Sequence, residues 1–332
     1  MQTEIIGGGQ GIVGAVEALR AGEVVAVPTE TVYGLAGDAL RPEAVARVFE
    51  AKERPRFDPL IIHLPDITWL ERLANVPTSQ KEIVCTLVNA FWPGPFTLVL
   101  PKNKIVSGLV TAGLDTVALR MSAHAVFQEV ITKFGRPLAA PSANRFGRIS
   151  PTTAQHVLAE LEGRIPLIVD GGPTIHGVES TVVAVSDNSV EVLRPGPVTE
   201  EMLWAVLRGI DGSPMLHRPA ADATNAPRSP GQLPSHYAPK TPLRLVNTDE
   251  TVSWPDRQRA GLLAWTPPQT NHGFKQVRLL SPERNLREAA ANLFRFLREL
   301  DTANLDLILA EPVPEQGLGV AINDRLRRAA HR

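Results

Sequence analysis

The stretch EVVAVPTETVYGLAGDA, residues 23–39, decides how the chain folds. Val24–Val27 is an uninterrupted apolar run rich in β-branched residues, which reads as a buried strand. Pro28 cannot donate to a sheet ladder, so the strand breaks there into a loop that carries Thr29, Glu30, Thr31 and then Tyr33. A buried strand whose end is crowded with hydroxyls is a place where an α/β fold can hold a ligand. It is equally a β-edge with ordinary threonines, and the stretch alone does not choose.

Working outward, GIVGAVEALRAG before it has apolar residues at helical spacing and Ala21-Gly22 as a C-cap, and PEAVARVFEAK after it is a helix with Pro42 in its first turn. PLIIHL is the next strand. A helix through SQKEIVCTLVNAFW leads to PGPFTLVLPK, a strand bounded by prolines. TVALRMS and PLAAPSAN are short strands with polar tails, TAQHVLAELEG is helical, and IPLIVDGG, STVVAVS and VEVLRPG are strands. Strands and helices mix without strict alternation, which predicts a twisted mixed α/β sheet with helices on its faces. The glycines of GGGQG near the N-terminus read as a flexible entry with no strand before them.

From Gly212 to Thr241 the composition shifts to Pro, Ala, Ser and His without apolar periodicity, which reads as a linker. This divides the chain into a domain over 1–211, a linker over 212–241 and a smaller alternating β/α module over 242–332. At 332 residues, one large domain plus a small one is the default.

The formal net charge of -1 supplies no global field toward nucleic acid or anionic membrane, so the balance favours a small-molecule enzyme. The single cysteine, Cys85, excludes an intramolecular disulfide and a cysteine-based metal cluster. It fits a reducing compartment and reads as a packed core thiol. The N-terminus lacks a basic segment followed by a long apolar one and no window has membrane-spanning length, so the cytoplasm is the expected location.

Several strand ends carry groups suited to chemistry. In KERPR, Lys52, Arg54 and Arg56 lie about Pro55, and guanidinium forks plus an ammonium can hold a triphosphate without a glycine-rich P-loop; a solvated basic turn is the plain alternative. His63 inside LIIHL is either a satisfied core histidine or faces a substrate. Arg120 in TVALRMS needs an anion or several acceptors, for which a substrate carboxylate is a candidate. APSANRFGRISPT gathers Ser142, Asn144, Arg145, Arg148 and Ser150 around Gly147 ahead of a helix, with Ser150 or Thr152 as its N-cap. DGGPTIHGVESTVV ends in Glu179, Ser180 and Thr181, and LRPGPVT places Arg194 at another strand end. Zincin spacing, a GxSxG elbow and a Ser/His/Asp set are all absent. Polar donors at strand ends without an evident nucleophile suit positioning and charge stabilisation of a phosphoryl or nucleotidyl group.

In order along the chain, PTETVYGL, the K-x-R-P turn of KERPR, DPLIIHL, WPGPFTLVL, TVALRMSAH, PLAAPSANRFGRISPT, ESTVV and LRPGP resemble the YrdC/Sua5 family of L-threonylcarbamoyladenylate synthases. SPGQLPSHYAPKTPL and the module after it resemble the longer Sua5 form. The resemblance implies a YrdC-like twisted sheet around a concave basic cavity and a small Rossmann-like α/β Sua5 domain at the C-terminus. It implies a nucleotidyltransferase that makes threonylcarbamoyl-AMP and pyrophosphate from L-threonine, bicarbonate and ATP, with Mg2+ accompanying the nucleotide and no metal site of its own. The product would feed a tRNA-modifying threonylcarbamoyl transferase complex acting at adenosine 37.

By matching motif, the resemblance assigns Thr31, His63, Arg120, the backbone of Ala140 and Ser180 to L-threonine. It assigns Lys52, Arg54, Asp58, Thr116, Ser142, Asn144, Ser150 and Arg194 to ATP, with His236 and Tyr237 on a linker that folds back as a lid. Lys52 and Arg54 would act catalytically by countering charge on the departing pyrophosphate. Asp58 stands where many members carry asparagine. On this reading Arg54→Ala lowers adenylate formation by orders of magnitude with the fold intact.

Two rivals remain at this level. A double-stranded RNA or tRNA binding module without adenylate synthesis expects salt-dependent binding, against which the near-neutral charge counts; a weak tRNA contact is compatible with either reading. A carbamoyladenylate synthase of the hydrogenase-maturation kind expects acylphosphatase and zinc-finger segments, for which the chain has neither the length nor the cysteines.

Overall fold

The computed structural model describes residues 2–219, 228–229, 231, 233, 235–247, 249–250, 254–267 and 273–331. The first lobe is an eleven-stranded mixed sheet in the order β1-β8-β2-β3-β7-β4-β6-β5-β9-β10-β11. Its strands are β1 (Glu4–Gly7), β2 (Val25–Pro28), β3 (Tyr33–Asp38), β4 (Ile61–His63), β5 (Phe96–Pro101), β6 (Thr116–Arg120), β7 (Leu138–Ala139), β8 (Leu167–Asp170), β9 (Thr181–Ser186), β10 (Ser189–Arg194) and β11 (Met215–His217). Parallel pairs such as β4 with β6 and β5 with β9 alternate with antiparallel ones such as β2 with β3 and β5 with β6, as the irregular succession of elements requires.

Helices α1 (Gly8–Arg20), α2 (Pro42–Lys52), α3 (Trp69–Leu73), α4 (Lys81–Phe91), α5 (Ala125–Phe134), α6 (Ala154–Leu161) and α7 (Glu200–Leu207) cover the sheet. Each buries its apolar stripe, as when Ile83, Val84, Leu87 and Val88 of α4 join the main core. The period-2 alternation of strands then positions the site. Ile62 and Leu119 enter the main core, whereas Ile61 and His63 of β4 and Ala118 and Arg120 of β6 point to the opposite, concave face. Register places Ile61 beside Ala118 and His63 beside Arg120.

The second lobe is a four-stranded all-parallel sheet, β12-β15-β13-β14, built from β12 (Leu243–Leu245), β13 (Ala260–Ala264), β14 (Gln276–Leu279) and β15 (Leu307–Ala310). It packs with α8 (Leu286–Asp301) and α9 (Gly319–Ala330). Asn285 caps α8, accepting from the backbone N–H of Arg287 and Glu288, and the apolar stripe Ala289, Ala290, Leu293, Phe294 and Leu297 is fully buried. This core does not stop at the lobe boundary. Val32, Ile149 and Val178, each from a loop of the first lobe, belong to it together with Tyr237.

Four sequence expectations are corrected. Gly7–Gly11 is no loose entry: β1 pairs with β8 and α1 begins at Gly8, because a Cβ on Gly11 would lie 2.3 Å from the Ile6 carbonyl and glycine lets the helix turn back on the strand. Cys85 is exposed, on the face of α4 opposite its buried stripe. Thr153 caps α6, accepting from the His156 N–H, where Ser150 or Thr152 was expected. Within the stretch expected as linker, Met215–His217 is an edge strand parallel to β10; residues 220–227, 230, 232 and 234 of that stretch lie outside the described residues.

Candidate active site

The ends of β2, β4, β6, β7 and β10, the entry to β9, and Gly231, His236 and Tyr237 line one chamber.

At one end the turn after β2 is fixed by its own hydroxyl. Thr29 Oγ1 accepts from the N–H of Thr31 at 3.1 Å and of Val32 at 3.2 Å, which presents Thr31 to Arg120. Arg120 donates from Nη1 to Thr31 Oγ1 at 3.0 Å and from Nε to the Gly94 carbonyl at 3.2 Å, and pairs through Nη2 with Glu30 Oε1 at 2.7 Å. The Ser122 hydroxyl donates to the other Glu30 oxygen. Burial pushes the Glu30 carboxyl up, but Arg120 and Ser122 outweigh it and hold its pKa at about 2. His63 sits beside this pair with its ring 4.6 Å from Phe127, and burial reinforced by Arg120 lowers its pKa to about 3. It is therefore a neutral imidazole, and its Nδ1 is buried without a hydrogen-bond partner. Ser180 shares a 2.8 Å hydrogen bond with Thr97, and Arg194 donates to the Ser180 carbonyl from Nε at 3.1 Å and Nη2 at 3.0 Å.

At the other end Arg54 reaches the chamber from the turn after α2. It is bound to Asp58 Oδ2 at 2.8 Å and to the Pro59 carbonyl at 2.8 Å, and both charged groups are buried. Burial raises the Asp58 pKa while Arg54 and Lys52 draw it back. Lys52 is 1% exposed, and its ammonium is fastened to the carbonyls of Ser142 and Asn144; burial and then Arg54 push its pKa well below the ordinary lysine value.

Gly231, His236 and Tyr237 line the chamber on this side, and Ala238 donates to the Gly147 carbonyl at 2.8 Å. Tyr237 stands at φ 62 with its ring stacked 5.6 Å from Phe294 of the second lobe. Its hydroxyl is buried without a hydrogen-bond partner, and burial followed by Glu179 raises its pKa to about 12. Burial and four nearby cations, Arg54 foremost, push the pKa of His236 far below the usual imidazole range.

The chamber thus brings together Thr31, Arg54, His63, Arg120, Ala140, Ser142, Ser180, Arg194, His236 and Tyr237. Five expected residues do not line it. Lys52 and Asp58 stand behind the wall and hold Ser142 and Arg54 in place. The Asn144 amide donates to the Arg145 and Arg148 carbonyls, and Ser150 donates to Glu179. Thr116 lies on the same face as Arg120 but at the opposite end of β6, about 13 Å away at strand rise. Conversely, Glu30 and Glu179 were visible only as single acids beside hydroxyls. Arg325, which reaches Glu179 from α9, carried no signal in NDRLRRAA.

A mixed α/β lobe whose strand ends aim arginines and hydroxyls into one chamber, with a parallel α/β module behind it, has the layout of an enzyme site for anionic ligands. A family model described as Telomere recombination (Sua5_yciO_yrdC) matches residues 17–196, and one described as Threonylcarbamoyl-AMP synthase, C-terminal domain matches residues 198–331. The threonylcarbamoyl-AMP synthase of Bacillus subtilis is 42% identical over 324 residues, covering 95% of this chain and 92% of that protein. That of Pyrococcus abyssi is 40% identical over 323 residues, covering 94% and 92%. The crystal structure of P. abyssi Sua5 complexed with L-threonine superposes with a TM-score of 0.87 at 38% identity, covering 99% of this chain and 98% of that one. The chain belongs to the Sua5/YrdC family. Among the described residues no helix is long and apolar enough to cross a membrane, and no three His, Cys, Asp or Glu side chains converge as a metal site.

Proposed function

We propose that this chain is an L-threonylcarbamoyladenylate synthase, a nucleotidyltransferase that supplies threonylcarbamoyl-AMP for N6-threonylcarbamoylation of adenosine 37 in tRNA. The observation that carries the proposal is the shared chamber: Arg120, Thr31 and His63 stand at one end and Arg54 at the other, and Ser180 and Arg194, hydrogen-bonded to each other, line the same space. L-Threonine occupies the first end, its carboxylate on Arg120 and Thr31, and the backbone of Ala140 lines the same space. MgATP occupies the second, its phosphates against Arg54, Arg194 and the Ser142 to Ser150 loop, under His236 and Tyr237. Magnesium would enter with the nucleotide and would offset charge on its phosphates beside Arg54 and Arg194.

The amine of L-threonine and bicarbonate give a carbamate and water. A carbamate oxygen forms the bond to the α-phosphorus, the bond from that phosphorus to the bridging oxygen breaks, and pyrophosphate leaves with the electron pair. The chain contributes alignment of the two substrates and cationic stabilisation of the departing pyrophosphate by Arg54, with Lys52 holding the Ser142 loop behind it. The burial of the lining residues, Ser180 and Arg120 among them, keeps water from the carbamate.

The test is pyrophosphate release with ATP, L-threonine and bicarbonate, each omitted in turn. Release needs all three; release that ignores L-threonine overturns the assignment. An RNA-binding module without turnover is disfavoured by the net charge of -1 and by side chains committed to a closed interior. Delivery of the product to a threonylcarbamoyl transferase complex belongs to the same proposal.

A further inference from the structure

Glu179 is a carboxylate that lines the chamber within electrostatic reach of Arg194 and Tyr237. Two of the buried cations that line the chamber, Arg54 and Arg120, each have an acid from their own lobe, Asp58 and Glu30. Glu179 is different: among the described residues its one ion pair is with Arg325, which comes from α9 of the second lobe. Arg325 is 0% exposed and donates from Nε to Glu179 Oε2 at 2.9 Å, while the Ser150 hydroxyl donates to Glu179 Oε1. Its Nη1 is held by Asp324 at 2.7 Å, and its guanidinium carbon lies 5.3 Å from the centre of the Tyr237 ring.

Both oxygens of Glu179 are thus occupied by donors directed from behind the chamber wall. Without Arg325 a buried carboxylate would be left unpaired at the wall, would repel a nearby polyphosphate at low local dielectric, and would release Ser150 and the loop it ends. The loop geometry points the same way, because Ile149, next to Ser150, packs into the core of the second lobe and its carbonyl accepts from Arg298 of α8.

We propose that Arg325 is a positioning residue for the reaction: by neutralising and fixing Glu179 it keeps one end of the chamber receptive to nucleotide, so the second lobe supplies part of the electrostatics of a site located in the first. This rests on the adenylate-synthase reading only in naming ATP as the ligand.

The test uses the full chain with Arg325→Met, which keeps much of the apolar stem and removes the charge, alone and combined with Glu179→Gln. Arg325→Met should raise KM for ATP in pyrophosphate release on the order of ten- to a hundred-fold while KM for L-threonine moves less than about threefold. Adding Glu179→Gln should return the ATP constant to within about threefold of wild type, because the uncompensated charge is gone and the amide oxygen still accepts from Ser150. A purely structural role for Arg325 predicts that both substrates suffer together and that glutamine rescues neither; that result, or an ATP constant unchanged in Arg325→Met, overturns the proposal. Should the single variant not fold, the double variant carries the test, since no charge is left unpaired: near-wild-type ATP affinity supports the proposal and its loss overturns it. Calorimetric titration with MgATP, run on wild type and variants, separates the two readings. If wild type releases no pyrophosphate the synthase assignment fails, while the ATP affinities still decide the role of Arg325.

Discussion

The two ends of the chamber are built differently. At the Arg120 end the principal side chains stand at the ends of paired strands: His63 on β4 and Arg120 on β6 are adjacent in register, and Ser180 opens β9. The acid that neutralises Arg120 lies in the turn directly after β2. At the Arg54 end the lining residues are Arg54 from the turn after α2, Ser142, Gly231, His236 and Tyr237, with Phe294 and Arg325 of the second lobe against Tyr237 and Arg298 holding the Ile149 carbonyl. The first end stands mainly on one sheet, with Val32 and Val178 beside it entering the second lobe's core, and the second is built from loops and from residues that both lobes contribute or brace. A site divided in this way can hold a small amino acid in a rigid pocket while a larger nucleotide enters and leaves through the jointed side.

The comparison breaks most severely at its rigid end. Arg120→Ala leaves Glu30 buried without its cation, which should cost about 3–5 kcal/mol in denaturant unfolding and abolish pyrophosphate release. Combining Arg120→Met with Glu30→Gln should recover much of that stability and none of the turnover. Arg54→Ala comes next, with a fall in turnover on the order of a hundredfold or more. Here the structure revises the expectation of an undisturbed fold, because Asp58 is buried against Arg54 and loses its partner; Asp58→Asn in the same chain should relieve the unfolding penalty but not the loss of activity.

A smaller effect sharpens the contrast at the jointed end. Gly231 has φ +82, and a Cβ there would lie 2.6 Å from the Tyr237 hydroxyl and 3.1 Å from Arg194. Gly231→Ala should raise KM for ATP several-fold and cost roughly 1–2 kcal/mol of stability, leaving L-threonine binding close to wild type.

The smallest effect is in pH. His63 is held neutral with a pKa of about 3, against the ordinary 6.5, by burial and then by Arg120. Between these values the unfolded chain binds a proton that the folded chain refuses, so this contribution to stability is complete above pH 6.5 and is lost as the pH falls toward 3. Glu30 acts with the same sign lower down, between its ordinary 4.5 and about 2. Wild type should therefore lose on the order of 1 kcal/mol more than His63→Gln between pH 7 and pH 5.5, measured by denaturant unfolding at each pH.

Much of the rigid end was legible in the sequence, because apolar runs fix the strands; LIIHL and TVALR carried His63 and Arg120 as candidates, and the choice between core and chamber for His63, open in the sequence, is made by the strand register that sets it beside Arg120. Their neutralising partner was not legible. Glu30 stands in a turn whose geometry comes from Thr29 hydroxyl bonds, and no spacing in the sequence relates it to Arg120. At the jointed end KERPR announced its cations correctly, but burial reassigns them: Lys52 faces backbone carbonyls and Arg54 shares its charge with Asp58. Arg325 was illegible, since its role depends on how the second lobe docks, which periodicity does not encode. Cys85 shows the same limit on a small scale, because a helix through SQKEIVCTLVNAFW has two faces and only the packing partner decides which one is buried.

The most direct test of the divided chamber is a structure of the full chain with L-threonine and a non-hydrolysable ATP analogue bound together. The amino acid carboxylate should lie on Arg120 and Thr31 and the phosphates on Arg54 and Arg194, with the α-phosphorus facing the threonine amine beneath His236 and Tyr237. Either ligand seated elsewhere, for example in the apolar groove beside Met202 and Leu318, would contradict the account.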